Sequence, residues 1–306
     1  MPAEPSRPAL LVLAAGLGSR YGGLKQMEAV GPGGATLMDY AVFDALRAGF
    51  GAAVFVIRPE TEAAFARDVL PRFRPHLDVT TALQRLDAPA GFSVPRLRVK
   101  PWGTAHAVLA ASRAVGTPFA VVNADDFYGR GAYASVASFL AAPQGDGPPA
   151  FALAGFRLAG TISAAGPVNR AVCRVGADGW LESVEEVVRI SADAGGGFSS
   201  EENGAARRFD GSELVSMNMW GFTPAVFPQF DRLFSGFLAG PDDIASREFL
   251  IPAAVQDLIR SGSARVRVLP TESLWTGITH PDDRPRVADF LRELTERGEY
   301  PERLWA

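Results

Sequence analysis

The sequence predicts an α/β fold in which a mixed, mainly parallel sheet is sandwiched between helices, as a single domain with a substrate-facing subdomain. In the first half, short apolar runs alternate with helical patterns, which is typical of parallel strands covered by helices on both faces. In the second half, successive strand-like runs indicate a mixed or antiparallel sheet. The 306 residues are enough to bury the core of one large domain.

Three strand–helix units are expected in succession in the first half. Apolar runs predict strands at 10–15, 53–57, 79–83 and 119–123, and helical patterns predict helices at 37–48, 60–70 and 104–114. The second helix is expected to stop before Pro71, because proline lacks the N–H that a helix interior requires.

The second half is expected to be richer in strands. Strands are predicted at 149–158, 171–175, 180–190, 213–222, 266–269 and 273–275, and helices at 224–238, 244–261 and 281–297. Two polar, glycine-containing stretches, 143–149 and 191–207, are predicted to be loops, because apolar strand patterns resume directly after them.

Composition excludes several classes of function. Thirty basic and 34 acidic residues give a net charge of -4, and the two signs are interspersed along the chain. A basic face for nucleic acid is therefore not expected. Cys173 is the single cysteine, so neither a disulfide framework nor a cysteine metal cluster is expected. The apolar run 9–15 is far shorter than a membrane span of about 20 residues. No membrane association is expected, and with no export signal visible the expected location is cytoplasmic.

A glycine-rich segment lies between the first predicted strand and the first predicted helix. Residues 14–26 read AAGLGSRYGGLKQ, so backbone N–H groups there can point at bound oxyanions. Arg20 adds a planar fork and Lys25 a compact charge, both suited to phosphate. The segment matches neither the Rossmann nor the Walker fingerprint. The alternative interpretation is a surface turn whose Arg20 and Lys25 are solvated.

An acidic segment follows the strongly apolar strand predicted at 119–123. Residues 123–129 read NADDFYG, which places Asp125 and Asp126 at the carboxyl edge, where open α/β sheets bind ligands. Near a triphosphate, Asp125 is the first choice as a ligand for Mg²⁺, which prefers hard oxygen donors. The alternative is that both acids are solvated or cap the following helix.

These two segments together resemble the sugar-phosphate nucleotidyltransferases, typified by glucose-1-phosphate thymidylyl- and uridylyltransferases. The resemblance implies a GT-A-like (Rossmann-like) fold and an Mg²⁺ cofactor. It assigns Arg20 to the departing pyrophosphate, Lys25 to the reacting phosphate and Asp125 to the metal, with Asp126 in a supporting position. Nucleotide binding is implied for Ala14, Ala15, Gly16, Gly18 and Ser19.

The resemblance also implies a base-reading pair. Gln84 and Gly103 match the family's glutamine and glycine, although residues 85–100 are inserted between them, and Thr104 adjoins the nucleotide while able to cap its helix. Gln84 is alternatively a strand-end residue bonded to backbone. Trp102 either stacks on a base or fills the core. His106 is expected to pack or to form a hydrogen bond.

The acceptor half departs from the family in two places. The family's Glu-Lys-Pro is replaced by residues 186–189, EVVR, so Glu186 and Arg189 are the candidates there, and Asn218 in SMNMWGF is the candidate for sugar hydroxyls. The family's Asp-Thr-Gly-Thr lacks its aspartate before Thr276. Either Asp283 is the second metal ligand or Asp125 and phosphates hold the metal alone; alternatively, Asp283 is a helix-start acid.

The implied domain covers residues 8–306, with an NTP-binding half at 8–130, a sugar-phosphate-binding half at 149–280, and a C-terminal helix and tail at 281–306. The implied reaction transfers a nucleoside monophosphate from an NTP, with UTP or dTTP favoured, to a sugar 1-phosphate. The alternatives are a GT-A glycosyltransferase that consumes an NDP-sugar and a non-catalytic nucleotide-sugar-binding protein. Another phosphate acceptor, such as an amino-alcohol phosphate, stays open, as does assembly into a homo-oligomer.

Overall fold

The computed structural model describes residues 7–16, 29–89, 91–96, 98–143, 145–163, 166–193, 195–202, 205–240, 244–278 and 282–305. Of the predicted site residues, Gly18, Ser19, Arg20 and Lys25 lie outside the described residues. Within the described ranges, no helix combines the length and the apolar character that crossing a membrane requires.

The strands are β1 (Ala9–Leu13), β2 (Ala52–Ile57), β3 (Asp78–Leu83), β4 (Phe119–Asn123), β5 (Asp126–Phe127), β6 (Ala150–Arg157), β7 (Val168–Val175), β8 (Leu181–Ala192), β9 (Phe198–Glu202), β10 (Ala205–Phe209), β11 (Leu214–Phe222), β12 (Arg265–Pro270) and β13 (Thr276–Gly277). The α-helices are α1 (Leu37–Arg47), α2 (Glu62–Asp68), α3 (Leu70–Phe73), α4 (Thr104–Ala110), α5 (Arg130–Ala141), α6 (Val226–Ala239), α7 (Ile251–Arg260) and α8 (Asp283–Glu296).

One mixed sheet runs through both halves of the chain, in the order β10-β9-β8-β7-β11-β4-β1-β2-β3, with β6 paired to β11 and β12 paired to β6. The core strands β4, β1, β2 and β3 are parallel, as the alternation of strand and helix patterns predicts. Strands β7 to β11 pair in antiparallel fashion, so the predicted change of character in the second half is confirmed.

Helices cover the parallel core on both faces because its strands are apolar on both faces. Along β1, Leu10 and Val12 pack in the cluster that includes α1 and α5, whereas Leu11 packs in the cluster that includes α4, α6 and α7. Successive strand residues point to opposite faces, so an uninterrupted apolar run serves two cores at once.

The helix over 60–70 ends before Pro71 as predicted, but the predicted last residue, 70, is wrong. α2 ends at Asp68, and Pro71 lies in the first turn of the separate short helix α3. Proline is tolerated in a first turn because the N–H groups there have no partner inside the helix. The same rule explains why α7 begins at Ile251 and not at 244, since Pro252 then falls in its first turn.

The prediction of a loop over 191–207 is also wrong. β8 continues to Ala192, and β9 and β10 form an antiparallel hairpin in which Phe198 pairs with Phe209. The Glu185 side chain on β8 accepts a hydrogen bond from Arg207 at 2.7 Å. The sequence signal for this hairpin is Asn-Gly at 203–204, a dipeptide favoured in two-residue hairpin connections.

Candidate functional site

The site lies where β11 changes its neighbour on one side. Residues 220–222 of β11 pair with β4, whereas Val215 and Ser216 pair with β7, and the register shifts between Ser216 and Trp220. Asn218 lies inside this irregularity with a left-handed φ of 67°. Strands β4 and β7 therefore diverge at this point, and a divergence of strands leaves room for a ligand in an open α/β sheet.

A cavity of about 370 Å³ occupies this divergence. Its lining comes from the end of β4, the start of β7, the irregular part of β11, Glu186 on β8, and the ends of helices and loops: Thr104, Asn123, Asp125, Asp126, Asn169, Arg170, Ala171, Glu186, Ser216, Met217, Asn218, Leu250, Pro252, Trp275 and Ile278. The structure thus brings Asp125, Thr104, Glu186 and Asn218, all predicted site residues, around one space.

The start of the glycine-rich segment lies beside the start of the acidic segment. β1 and β4 are parallel neighbours with Leu13 opposite Asn123, and the backbone N–H of Ala124 donates to the Leu13 carbonyl at 3.1 Å. The two segments that follow β1 and β4 therefore leave the sheet at the same edge. Gly16 is exposed, and a side chain added there would meet no described protein atom within 4 Å.

The two aspartates occupy different environments. Asp126 is buried, and its Oδ2 accepts a hydrogen bond from Asn123 Nδ2 at 2.8 Å and lies 3.1 Å from the Tyr128 hydroxyl. Desolvation and the neighbouring charge of Asp125 raise the pKa of Asp126 to about 7. Both aspartates line the cavity, and Asp125, which is half-buried, is the more exposed of the two. Asp126 is thus held by the protein, which supports a structural position behind Asp125.

The donor set around Asp125 suits Mg²⁺ only when a substrate supplies further oxygens. Within the described part of the chain, no group of three or more His, Cys, Asp or Glu side chains is arranged to hold a metal. Mg²⁺ is commonly held by one or two carboxylates together with substrate phosphates and water, because it gives up its hydration shell reluctantly. The carboxylate of Asp125, which lies at the sheet edge and lines the cavity, fits that pattern.

Asn218 is oriented by two neighbours. Its side-chain Nδ2 donates to Asn123 Oδ1 at 3.1 Å, and its Oδ1 accepts from Trp220 Nε1 at 3.2 Å. The left-handed φ of 67° is unusual for a residue with a side chain, although asparagine tolerates it better than most. This arrangement links the end of β4 to the cavity wall on β11.

Arg170 is a site residue that sequence analysis missed. It lies near the start of β7, is half-buried, and lines the cavity. Desolvation lowers the pKa of its guanidinium to about 10, while Asp126 and Glu186 oppose that effect. Partial desolvation raises the pKa of Glu186 in turn, and Arg170 opposes that shift. The segment VNRAVC offers no motif, so no local signal marks this arginine.

Two of the residues predicted for the acceptor and the metal, Arg189 and Asp283, do not line this cavity. Arg189 is exposed on β8 with a φ of 55°, and its backbone N–H donates to Asn169 Oδ1 at 3.0 Å; it is not among the lining residues. Asp283 is buried at the start of α8, with Arg286 Nη2 at 3.6 Å, and lines a neighbouring cavity of about 310 Å³. The helix-start position agrees with the alternative interpretation of Asp283.

The expected base-reading pair is engaged with the protein. Gln84 is buried, and its Nε2 donates to the Gly103 carbonyl at 2.9 Å, which matches the alternative of a strand-end residue bonded to backbone. Gly103 has a φ of 114°, and a Cβ there would lie 2.5 Å from the Phe249 carbonyl oxygen. The start of α4 packs so closely on the backbone of Phe249 that only glycine fits at position 103, whether or not a ligand binds.

The residues around Gly103 have mainly structural contacts. Trp102 is fully buried, with the Arg98 guanidinium 3.9 Å from its ring centroid, so it fills the core and is not exposed for base stacking. Burial lowers the pKa of His106 to about 4, and its ring packs 4.8 Å from that of Phe234. Thr104 Oγ1 accepts from the Ile251 N–H at 3.1 Å and so caps α7, not its own helix.

The sequence matches no protein-family model, and no curated protein matches it significantly. Among solved structures, the fold is similar to the inositol-1-phosphate CTP transferase from T. maritima, with a TM-score of 0.61 and 14% identity over 95% of this chain and 97% of that one. A UDP-glucose pyrophosphorylase complexed with UDP-glucose gives a TM-score of 0.61 and 14% identity over 94% and 99%. At this identity the likeness shows the fold, and that fold is the one expected of the sugar-phosphate nucleotidyltransferases.

Proposed function

We propose that this protein is a sugar-1-phosphate nucleotidyltransferase that transfers a nucleoside monophosphate from an NTP to a sugar 1-phosphate, with release of pyrophosphate. UTP or dTTP is the favoured NTP, and Mg²⁺ is the cofactor. We also propose that residues 8–130 bind the NTP and residues 149–280 bind the acceptor.

The observation that supports this proposal most is the parallel pairing of β1 and β4. It delivers Ala14 and Ala124 to one sheet edge, so the glycine-rich segment and Asp125 begin side by side. A phosphate-binding loop and a metal-binding carboxylate need to be close, because both act on the same triphosphate. Gly16 adds support, because the described fold itself has no steric need for glycine there.

The proposed reaction needs no covalent protein nucleophile. An oxygen of the acceptor phosphate attacks the α-phosphorus of the NTP, the bond from that phosphorus to the bridging oxygen of the β-phosphate breaks, and pyrophosphate leaves with the electron pair. Arg20 stabilises the leaving group and Lys25 the reacting phosphate, while the backbone at Gly16 and Gly18 and the Ser19 side chain orient the triphosphate. Mg²⁺, when held by Asp125, neutralises phosphate charge. Catalysis then comes from positioning and charge stabilisation.

The structural neighbours support the general reaction class. One is named as a CTP transferase acting with inositol 1-phosphate and the other as a pyrophosphorylase bound to UDP-glucose. Their names differ in both base and acceptor, so the preference for UTP or dTTP and for a sugar 1-phosphate rests on the sequence resemblance.

A pyrophosphate-release assay tests the proposal. The purified protein is incubated with Mg²⁺, each of the common NTPs and a panel of sugar 1-phosphates, with phosphocholine and phosphoethanolamine as further acceptors. We expect pyrophosphate release that requires both an NTP and an acceptor and that stops on addition of EDTA. Release of an NDP from an NDP-sugar would instead indicate a glycosyltransferase, and NTP binding without any release would indicate a sensor.

A further inference from the structure

Arg170 contributes a positive charge to the wall of the cavity. The cavity is rich in carboxylates, since Asp125, Asp126 and Glu186 line it. Among its described lining residues, Arg170 is the only one with a cationic side chain. An acceptor that carries a phosphate therefore meets one fixed positive charge on this wall.

The Arg170 guanidinium donates three hydrogen bonds to oxygens of the protein. Its Nε donates to Thr161 Oγ1 at 3.2 Å, one Nη donates to the Thr161 carbonyl, and the other donates to the Asn169 carbonyl at 2.8 Å. The group also lies over the Trp275 ring, 5.1 Å from its centroid. These contacts fix the plane of the fork and leave further N–H groups for a ligand, because a guanidinium has more donors than these three bonds use.

The position of Arg170 in the sheet connects it with a departure in the sequence. In the β7–β8 register, Arg170 lies opposite Val187, and Val187 stands where the resembled family has the lysine of Glu-Lys-Pro. Directly opposed residues in an antiparallel pair have neighbouring Cβ atoms; Val187 itself is buried in the core, and of the two only Arg170 lines the cavity. The register of β7 on β8 shifts between Val168 and Arg170. Irregularities of this type change the direction in which a neighbouring side chain points.

We propose that Arg170 binds the phosphate of the acceptor, taking the place of a lysine that this chain lacks on the neighbouring strand. The inference rests on the proposed function and assigns the cation at its acceptor end. A half-buried arginine suits this role, because its planar fork binds two phosphate oxygens at once and partial desolvation strengthens the pairing. The guanidinium keeps its charge at neutral pH, since its pKa stays near 10. A neutral sugar or alcohol is accordingly a poor acceptor.

The test compares three variants in the pyrophosphate-release assay, with the acceptor that the wild-type protein uses best. Arg170→Met removes the charge and keeps much of the apolar stem, Arg170→Lys restores charge without the fork, and Arg174→Met is the matched control. Arg174 lies on the same strand, is largely exposed and pairs with Glu182 at 3.1 Å. Circular dichroism and thermal unfolding check that each variant folds.

We expect Arg170→Met to raise the KM for the acceptor by about ten- to a hundredfold, the usual effect of losing a charge-assisted hydrogen bond. The KM for the NTP should change by less than about twofold, because the triphosphate is held elsewhere. Arg170→Lys should recover part of the acceptor affinity, and Arg174→Met should match the wild type. An unchanged acceptor KM in Arg170→Met, or equal increases in both KM values, would overturn the inference.

A second measurement separates this inference from the proposed function. If the wild-type protein releases no pyrophosphate with any acceptor, the proposed function fails, and titration calorimetry with inorganic phosphate then decides the role of Arg170. The titration uses an Arg20→Met, Lys25→Met background, which removes the phosphate site expected in the glycine-rich segment. Binding that is lost on Arg170→Met but kept on Arg174→Met supports an anion site at Arg170, and equal binding in both contradicts it.

Discussion

The Asn218 side chain donates a hydrogen bond to Asn123 Oδ1 at 3.1 Å, across the point where β11 leaves β4 and pairs with β7. Asn123 in turn donates to Asp126 at 2.8 Å. The Asn123 side chain thus couples the β11 wall of the cavity to the acidic end of β4. These residues, which are far apart in sequence, meet here because β11 exchanges β4 for β7 as its antiparallel partner along one of its edges.

Asn218 offers a test of both backbone conformation and binding. Asn218→Gly keeps the left-handed backbone available and removes the amide, whereas Asn218→Ala forces a side chain into a φ of 67°. We expect the alanine variant to be less stable than the glycine variant by about 1 kcal/mol in urea unfolding, because left-handed backbone disfavours a Cβ. Both variants should raise the acceptor KM. Equal stability of the two would show that the backbone relaxes at this site.

Two glycines are expected to respond differently to alanine. Gly103→Ala places a Cβ 2.5 Å from the Phe249 carbonyl oxygen at a φ of 114°, so we expect a loss of about 2 kcal/mol or more in unfolding free energy.

The Cβ of Gly16→Ala meets no described atom within 4 Å, so the melting temperature of this variant should equal that of the wild type. Its KM for the NTP should nevertheless rise at least about tenfold, because the methyl group blocks close approach of phosphate. A normal KM would remove Gly16 from the nucleotide site.

Lys25→Ala should reduce turnover at least about a hundredfold, since a cation at the reacting phosphate stabilises charge that develops in the transition state. The measurement is kcat for pyrophosphate release at saturating NTP and acceptor. Near-normal kcat would contradict the role of Lys25. Lys100→Ala provides a lysine control, because Lys100 is exposed and does not line the Asp125 cavity.

Asp125→Asn should reduce kcat/KM at least about a hundredfold and weaken the dependence of activity on Mg²⁺ concentration, because an amide is a poorer ligand for a hard cation. The melting temperature without ligand should change little. Asp257→Asn is the control, since Asp257 is exposed on α7 and pairs with Arg260. Full activity of Asp125→Asn with an unchanged Mg²⁺ requirement would place the metal elsewhere.

The stability of the fold should depend on pH through Asp44. Burial raises the pKa of Asp44 from 3.8 to about 7 in the folded protein, where Tyr300 donates to its Oδ2 at 2.6 Å. The folded state therefore holds a proton that the unfolded chain has lost, and this contribution to stability disappears as the pH rises from about 4 to about 7.

Asp44→Asn should remove that slope. The difference in unfolding free energy between wild type and variant should shift in favour of the variant by up to about 1.4 kcal/mol per pH unit within this window. Urea unfolding at pH 5, 6, 7 and 8 measures it, with Asp289→Asn on the exposed face of α8 as control. Parallel pH profiles for wild type and Asp44→Asn would contradict the buried acid as the cause.

The sequence by itself determined the parallel core and the edge at which ligands are expected. Strand and helix periodicities are local, so the positions of β1, β2, β3 and β4 followed from residues next to each other in the chain. The glycine-rich segment and Asp125 could be placed at one edge, because parallel strands present their carboxyl ends together. The acidic side of the site was thus predictable without knowing which strands are neighbours.

Only the tertiary structure decided the side of the cavity for which acceptor binding is proposed. Arg170 opposes Val187 because of the register between β7 and β8, and Asn218 faces Asn123 because β11 changes neighbours. Gly103 is required by the backbone at Phe249, which lies far away in sequence. Each of these contacts joins segments that are far apart in the chain. Strands with the same alternation of side chains can pair in more than one register, so the local sequence does not say which residues lie opposite each other. Arg170, the cation proposed for the acceptor phosphate, could therefore be found only after the strands were paired.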